Sequence, residues 1–540
     1  MGRPTILKGA LLPSASADPW LWRGLLTAAL LVGALVRLPA VTAGYPYLEY
    51  VDEGHILHPV AQTLATGRWD PAQNNYPALP VLAIAGASRL LSPLAGVWRG
   101  APNLDDVRSG YLYYDQVEPP QLMIVGRGLS LLVSLASILL AGLLGRRFAG
   151  DAAGGLAALA AALLPALVFR GALVIVDVYA AFFVLAALTL LAGVERPDQL
   201  ARLAAAGACC GLAAVSKYPA VLVSLVVVAA VLLAPWRWRE RLRGAALAGA
   251  AAVLAAAIVM PALWRDPLGV WTQQIARQSR IYSSLETPSY GSQAFGRVEW
   301  DLPRLPYAEM GYTFTILALA GLTVLIARPA SRRFGIGCVL FTAALISLHA
   351  MYTFQAFRNL LPVAALACVT TGVAIATVGE RLRWPRLTAL IGAALLVAIF
   401  GPAARDYALE RARLVDSRRQ AMDWIAAKAP GGASVVIVEE TAVPNGELAR
   451  LRGRVRALPW PNIRRAVRQG KPRFLLAPDL VRRNGQPLIS EVDRRWLLDR
   501  YALRATFGSE PAGAINTFWR GNHLRVFVLE RRPDWKRRNG

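Results

Sequence analysis

The stretch 245–263 contains no charged side chain. About 20 apolar residues suffice for a helix to cross the hydrocarbon of a bilayer. Within lipid, a helix is one of the few structures that satisfies its own backbone polar groups. Comparable apolar runs lie near 24–40, 122–144, 153–169, 176–193, 201–216, 219–235, 311–327, 335–350, 360–378 and 387–403. These eleven stretches predict a multispanning α-helical membrane protein. The first resembles a secretory signal with a cleavage site near Leu38–Ala43, but the ten runs behind it favour an uncleaved signal anchor.

Only 17% of the 540 residues are charged, yet the net charge is +25. So apolar a chain is not a disordered basic arm that coats nucleic acid. The basic residues concentrate in alternate short loops: Arg146 and Arg147; Arg196 and Arg202; Arg237, Arg239, Arg241 and Arg243; Arg328, Arg332 and Arg333; Arg381, Arg383 and Arg386. Lys and Arg in short loops mark the cytoplasmic side, which puts the N-terminus inside and, after an odd number of spans, the C-terminus outside. The inner segments carry net +11, the segment 405–540 carries +14, and the rest is neutral. The longer outer segments are 41–121 and 264–310. Ala78–Leu94 is apolar enough to suggest another span, but a crossing there would turn every later basic loop outward. It is therefore expected to lie in the outer membrane surface. Residues 1–404 form the expected membrane module and 405–540 a soluble α/β domain. That domain has turn signals at Pro430-Gly431-Gly432, Asn445-Gly446 and Asn484-Gly485, strands near Ser434–Val438, Arg473–Ala477 and His523–Leu529, and helices near Arg418–Ala427 and Glu491–Tyr501. The four cysteines, Cys209, Cys210, Cys338 and Cys368, all sit in apolar runs and read as small core residues.

Ionisable groups at a membrane's edge are costly and mark candidate sites. The densest group follows the first run: Glu49, Asp52, Glu53, His55 and His58. Adjacent carboxylates can supply a general base for a hydroxyl acceptor, or can simply begin a helix. His55 and His58 share a helix face at their spacing, yet no third ligand or H-E-x-x-H pattern accompanies them. Lys217 fits a snorkelling lysine or an anion ligand. Asp177 fits a helix cap or a positioning carboxylate. Arg358 fits an interfacial anchor or a site residue. Arg127 lies inside a span and requires a partner, either an acidic outer residue or a lipid phosphate. Trp264, Trp271 and Trp300 read as interface anchors.

These residues fall in an ordered set of short motifs. Asp52-Glu53 follows the first span, with Ala61-Gln-Thr-Leu-Ala-Thr-Gly67 and Asn75-Tyr76-Pro77 behind it. Gly126-Arg127 opens the second span, Gly145-Arg146-Arg147-Phe148 closes it, and Val176-Asp177-Val178-Tyr179 opens the fourth. Gly211 to Pro219 ends in Ser216-Lys217-Tyr218-Pro219, and Arg358-Asn359-Leu360-Leu361-Pro362 precedes a late span. The set resembles the GT-C glycosyltransferases, in the branch of the dolichyl-phosphate-mannose protein mannosyltransferases and the lipid A aminoarabinose transferase. Asn359 stands where that pattern usually has tyrosine.

The resemblance implies a GT-C fold of about eleven transmembrane helices. It also implies transfer of a sugar from a polyprenyl-phosphate donor to a lipid, glycan or protein acceptor at the non-cytoplasmic face, by direct displacement with inversion. Asp52 would be the base, with Glu53 its neighbour or substitute. Lys217, Arg358 and Arg127 would bind the donor phosphate, and Asp177, Tyr218 and His55 would position the acceptor or the site. Arg277, Arg280, Tyr282 and Tyr290 would form a lid. No cofactor is implied and a divalent metal is not indicated, His55 and His58 being the candidate ligands. A bacterial inner membrane is the implied location, and the basic tail would meet a membrane surface or an anionic acceptor rather than nucleic acid. The competing reading is a secondary transporter or lipid-linked sugar flippase, which lacks support from any inverted repeat or mid-span helix break. A scaffold working through its tail is a third.

Overall fold

The computed structural model describes residues 18–48, 50–71, 76–95, 117, 119–283, 310–352, 357–429, 432–438, 441, 443–451, 455–478, 491–508 and 525–533. Asn75, Tyr290 and Trp300 lie outside them.

Among the described residues, the regular elements of the membrane module are all helical. In chain order come α1 (Pro19–Thr42), α2 (Val51–Thr66), α3 (Ala78–Ala95), α4 (Gln121–Leu163), α5 (Val176–Ala192), α6 (Leu200–Ala214), α7 (Ser224–Leu232), α8 (Trp238–Val259), α9 (Ala276–Ser283), α10 (Tyr312–Ala327), α11 (Arg332–Ala350), α12 (Leu361–Leu382) and α13 (Pro385–Arg413). Among the described residues, six helical segments are long and apolar enough to cross a membrane, and shorter apolar helices accompany them. α4 is two helices joined end to end, because Ala149 and Gly150 leave helical geometry at the basic turn. Gly150 has φ 74°, which a side chain would resist. Arg146 closes that turn onto Asp151 at 2.6 Å.

Outward-facing apolar residues such as Leu35, Val253, Ile258, Ile316 and Leu395 are exposed, as lipid-facing positions are. Inside the bundle, small residues permit close crossings. A Cβ at Gly207 or Gly211 of α6 would sit 2.1 or 2.0 Å from the carbonyl oxygens of Ala248 and Ala252 on α8, the small-xxx-small arrangement of membrane helix pairs.

The two ends of the bundle differ in chemistry. At one end the basic loops tie together: Arg147 pairs with Glu195, Arg328 reaches Glu380 at 2.7 Å and the Phe148 carbonyl at 3.1 Å, and Arg333 reaches the Val194 carbonyl at 2.8 Å. At the other end lie α2, α3 and the acidic motif. α2 and α3 bury Ile56, Leu57, Val60, Val81 and Ile84 against Leu122, Met123, Val174 and Val176. The Leu79 amide donates to the Val215 carbonyl, so α3 begins at that same end, beside Lys217.

α13 continues to Arg413, well past the apolar run, and hands over to the tail. The tail holds α14 (Ser417–Lys428), β1 (Val435–Val438), β2 (Val455–Leu458), α15 (Trp460–Gly470), β3 (Phe474–Pro478), α16 (Glu491–Arg500), β4 (Tyr501–Phe507) and β5 (Val526–Arg531). Its five-stranded sheet has the order β2-β1-β3-β5-β4. β1 runs parallel to β2 and β3, whereas β5 runs antiparallel to β3 and β4. One face of the sheet packs α14 and also Tyr47 from the loop between α1 and α2. The other packs Ile463 and Val467 of α15 and Leu497 of α16. The tail is thus seated on the loop just before Asp52. Arg418, buried, grips Asp416 with two bonds of 2.8 Å, donates to the Leu48 carbonyl at 2.9 Å and lies 4.7 Å over the Tyr47 ring.

Candidate functional site

Two short turns make the site. α6 ends at Ala214, and Pro219 prevents its continuation, since proline lacks an amide hydrogen and restricts the residue before it. Lys217 is left extended, with φ −154° and ψ 119°. The second turn is the 3₁₀ segment Phe357–Leu360, which precedes α12 with Pro362 in its first turn. It presents Arg358 and Asn359 side by side.

Asp52 stands in the first turn of α2 and is 5% exposed. Its carboxylate pairs with Arg358 and accepts the Tyr76 hydroxyl at 3.1 Å. Arg358 also donates to the Tyr50 hydroxyl at 2.9 Å. Across the site, Asp177 pairs with Lys217, whose ammonium donates to Asn359 Oδ1 at 2.6 Å. Asn359 Nδ2 in turn lies 3.4 Å from His349 Nδ1. Because Arg358 and Asn359 are consecutive, the two cation–carboxylate pairs form one connected array. Asp177 is no helix cap: the N-cap of α5 is Ile175, without a side-chain bond. Nor is Lys217 a snorkelling lysine, since its side chain is 16% exposed and engaged by two partners.

Glu53 and Arg127 part from expectation. Both are fully buried. Arg127 grips Glu53 with two parallel bonds of 2.7 Å and spends its remaining nitrogen on the carbonyls of Ala40 and Ala43, at 3.2 and 2.6 Å. Glu53 also accepts the Val174 amide. A guanidinium so occupied presents nothing to a donor phosphate, and a carboxylate so bound is no substitute base. Of the two kinds of partner open to Arg127, the chain itself supplies the acidic one, Glu53. The pair is a clasp joining the end of α1, the start of α2 and α4.

His55 packs its ring, tilted, against Tyr76, with centroids 5.7 Å apart. Tyr76 therefore touches both His55 and Asp52. His58 is buried, which pushes its pKa down to about 3, with His55 adding to the effect. Among the described residues no three His, Cys, Asp or Glu side chains gather where a metal would sit. Tyr218 donates to Gln274 at 2.8 Å and so ties the segment before α9 to the Lys217 turn. Arg277 and Arg280 are exposed on α9. Trp264 and Trp271 are exposed, as interface anchors would be. Asn359, His349 and the Arg418 seat were not foreseen as site features. The first departs from a familiar motif, the second closes an apolar run, and the third lies in the tail.

The family model described as dolichyl-phosphate-mannose-protein mannosyltransferase matches residues 103–265, less than half of the chain. That segment carries Arg127, Asp177 and Lys217, but neither Asp52 nor Arg358. A search of curated proteins finds no match. Among solved structures, the chain resembles ArnT from Cupriavidus metallidurans bound to undecaprenyl phosphate, with a TM-score of 0.58, 15% identity, and coverage of 94% of this chain and 98% of that one. The chain shares its fold with the GT-C protein ArnT. The apo ArnT structure matches with the same TM-score at 14% identity, covering 94% and 97%. The Archaeoglobus fulgidus oligosaccharyltransferase tethered to an acceptor peptide matches with a TM-score of 0.50 at 13% identity, covering 92% and 74%. The fold expected from the motifs is therefore present, with six of the described helical segments, not eleven, long and apolar enough to cross a membrane, and the match to ArnT extends into the tail.

Proposed function

We propose that this GT-C protein is a glycosyltransferase. It moves a sugar from a polyprenyl-phosphate carrier to a lipid, glycan or protein acceptor on the extracytoplasmic face of a bacterial inner membrane. The observation that carries this reading is the convergence of Asp52, Arg358 and Lys217 at the end of the bundle opposite the basic loops. The ArnT structure holding undecaprenyl phosphate supports a carrier of that class. Basic loops at the inner end, eleven crossings and an outer tail beyond residue 404 complete the topology.

Transfer needs a base at the acceptor hydroxyl and positive charge at the leaving phosphate. Asp52 takes the hydroxyl proton as the acceptor oxygen bonds to the anomeric carbon from the face opposite the phosphate. The anomeric C–O bond breaks, its electrons pass to the phosphate, and the configuration inverts. The ring is oxocarbenium-like between these events. Arg358 and Lys217 stabilise the charge that grows on the phosphate, where fixed cations in a dry site act most strongly. Before the donor enters, Arg358 neutralises Asp52. A donor phosphate draws the guanidinium away and leaves Asp52 ionised beside Tyr76, so that the base becomes available only with the donor in place.

Sugar-free undecaprenyl phosphate tests the donor assignment. The purified protein is expected to bind it saturably. Arg358→Gln and Lys217→Gln should each weaken binding by about tenfold or more, the worth of one charge-assisted hydrogen bond, while melting stays cooperative. A wild-type protein without saturable binding would remove the donor assignment.

A further inference from the structure

Three features lie outside the mechanism above: the fully buried Arg37, the Arg418 seat under the tail, and the Asn359–His349 contact behind Lys217. Arg37 spends its guanidinium on the carbonyls of Gly33, Ala161 and Ala162, and Arg418 holds a domain joint. Both are structural. The third bears on the chemistry.

We propose that His349 is a positioning residue for the donor phosphate, acting through Asn359 to fix the ammonium of Lys217. The inference rests on the reading of Lys217 as a phosphate ligand. An ammonium has three N–H donors. Two go to Asp177 and to Asn359 Oδ1, which leaves one for a phosphate oxygen. The arrangement works only if the carboxamide of Asn359 keeps its oxygen toward Lys217, because a flipped amide would turn N–H groups onto a cation. With the oxygen so placed, Nδ2 faces His349 Nδ1 at 3.4 Å. In that arrangement His349 Nδ1 serves as the acceptor for the Asn359 Nδ2 hydrogen. The flipped amide would set its N–H groups against the ammonium, which repels them, so Lys217 and His349 hold the carboxamide from its two sides. His349 is 2% exposed, in the last turn of α11, and packing therefore holds the ring in place. Asp177 supplies the charge that keeps Lys217 in the site, and Asn359, held by His349, supplies its direction. Where the motif usually has tyrosine, this chain has a residue that needs such an orienting partner.

The test compares wild type, His349→Leu, His349→Asn and Asn359→Leu for binding of sugar-free undecaprenyl phosphate and for the donor KM and kcat of transfer. Asparagine can place an oxygen where Nδ1 stood; leucine cannot. His349→Leu and Asn359→Leu should each raise the dissociation constant and the donor KM by about tenfold, with a smaller change in kcat. His349→Asn should restore most of the affinity. If His349→Leu destabilises the fold, His349→Phe, which keeps a planar ring without a nitrogen, reads the same contact. Wild-type affinity in the His349 variant that lacks an acceptor, or equal loss in that variant and His349→Asn, would overturn the inference while leaving the donor reading intact. A wild-type protein that fails to bind the lipid would defeat the donor reading and this inference with it.

Discussion

Asp52→Asn is expected to insert, fold and bind undecaprenyl phosphate, yet to transfer sugar about 10³-fold more slowly, within the range that a positioned general base contributes. Asparagine keeps the shape of the side chain and an acceptor oxygen for the Tyr76 hydroxyl. It also keeps an acceptor near Arg358, but holds that cation less strongly than a carboxylate does. Donor affinity should therefore stay level or rise, since the phosphate no longer competes with Asp52 for Arg358. Lower kcat with undiminished donor binding is the signature of a base that is masked until the donor arrives. A variant with full kcat would remove Asp52 from the chemistry.

The adjacent carboxylate should behave in the opposite manner. Glu53→Gln leaves Arg127 buried without its counter-charge, and breaking one side of a buried pair costs about 3–5 kcal/mol. The expected result is loss of folded protein from the membrane and, in whatever can be purified, a large fall in melting temperature. Replacing both partners, as Glu53→Gln with Arg127→Met, removes the stranded charge. It should recover much of the stability, as double-mutant coupling between contacting residues requires. The proposal thus gives neighbouring acids in the sequence different roles, Asp52 as the base and Glu53 as a clasp. A Glu53→Gln protein with normal melting but no activity would contradict that division.

Much of this architecture could be read before any coordinates. The apolar runs predicted the helices, because burial in lipid demands both length and the absence of charge. Arg146 and Arg147, between the runs 122–144 and 153–169, marked the turn within α4. Strands β1, β3 and β5 and helices α14 and α16 lie within a few residues of their expected places. β2 and β4 were missed because they are edge strands with half-exposed, arginine-bearing faces, which carry little hydrophobic pattern. α15 was missed because Arg464, Arg465 and Arg468 mask a buried face as narrow as Ile463 and Val467.

The site divides on different lines. Asp52, Lys217 and Arg358 stood out as charges at a membrane's edge, and the structure brings them together. Which charge pairs with which could not be read, because the partners are far apart in sequence: Arg127 and Glu53 are 74 residues apart, Lys217 and Asn359 are 142, and Arg358 and Tyr50 are 308. Only the fold shows that Arg127 is consumed by Glu53 while Arg358 lies within reach of Asp52. His349 gave no signal at all, being one imidazole at the end of an apolar helix.

The most direct measurement of the central claim is lipid and glycan analysis of a strain from which this gene has been deleted. The account predicts that a polyprenyl-phosphate monosaccharide accumulates, that one envelope lipid, glycan or protein lacks the corresponding sugar, and that wild type but not Asp52→Asn restores both. Unchanged polyprenyl-phosphate sugars and unchanged envelope glycosylation in the deletion strain would contradict it.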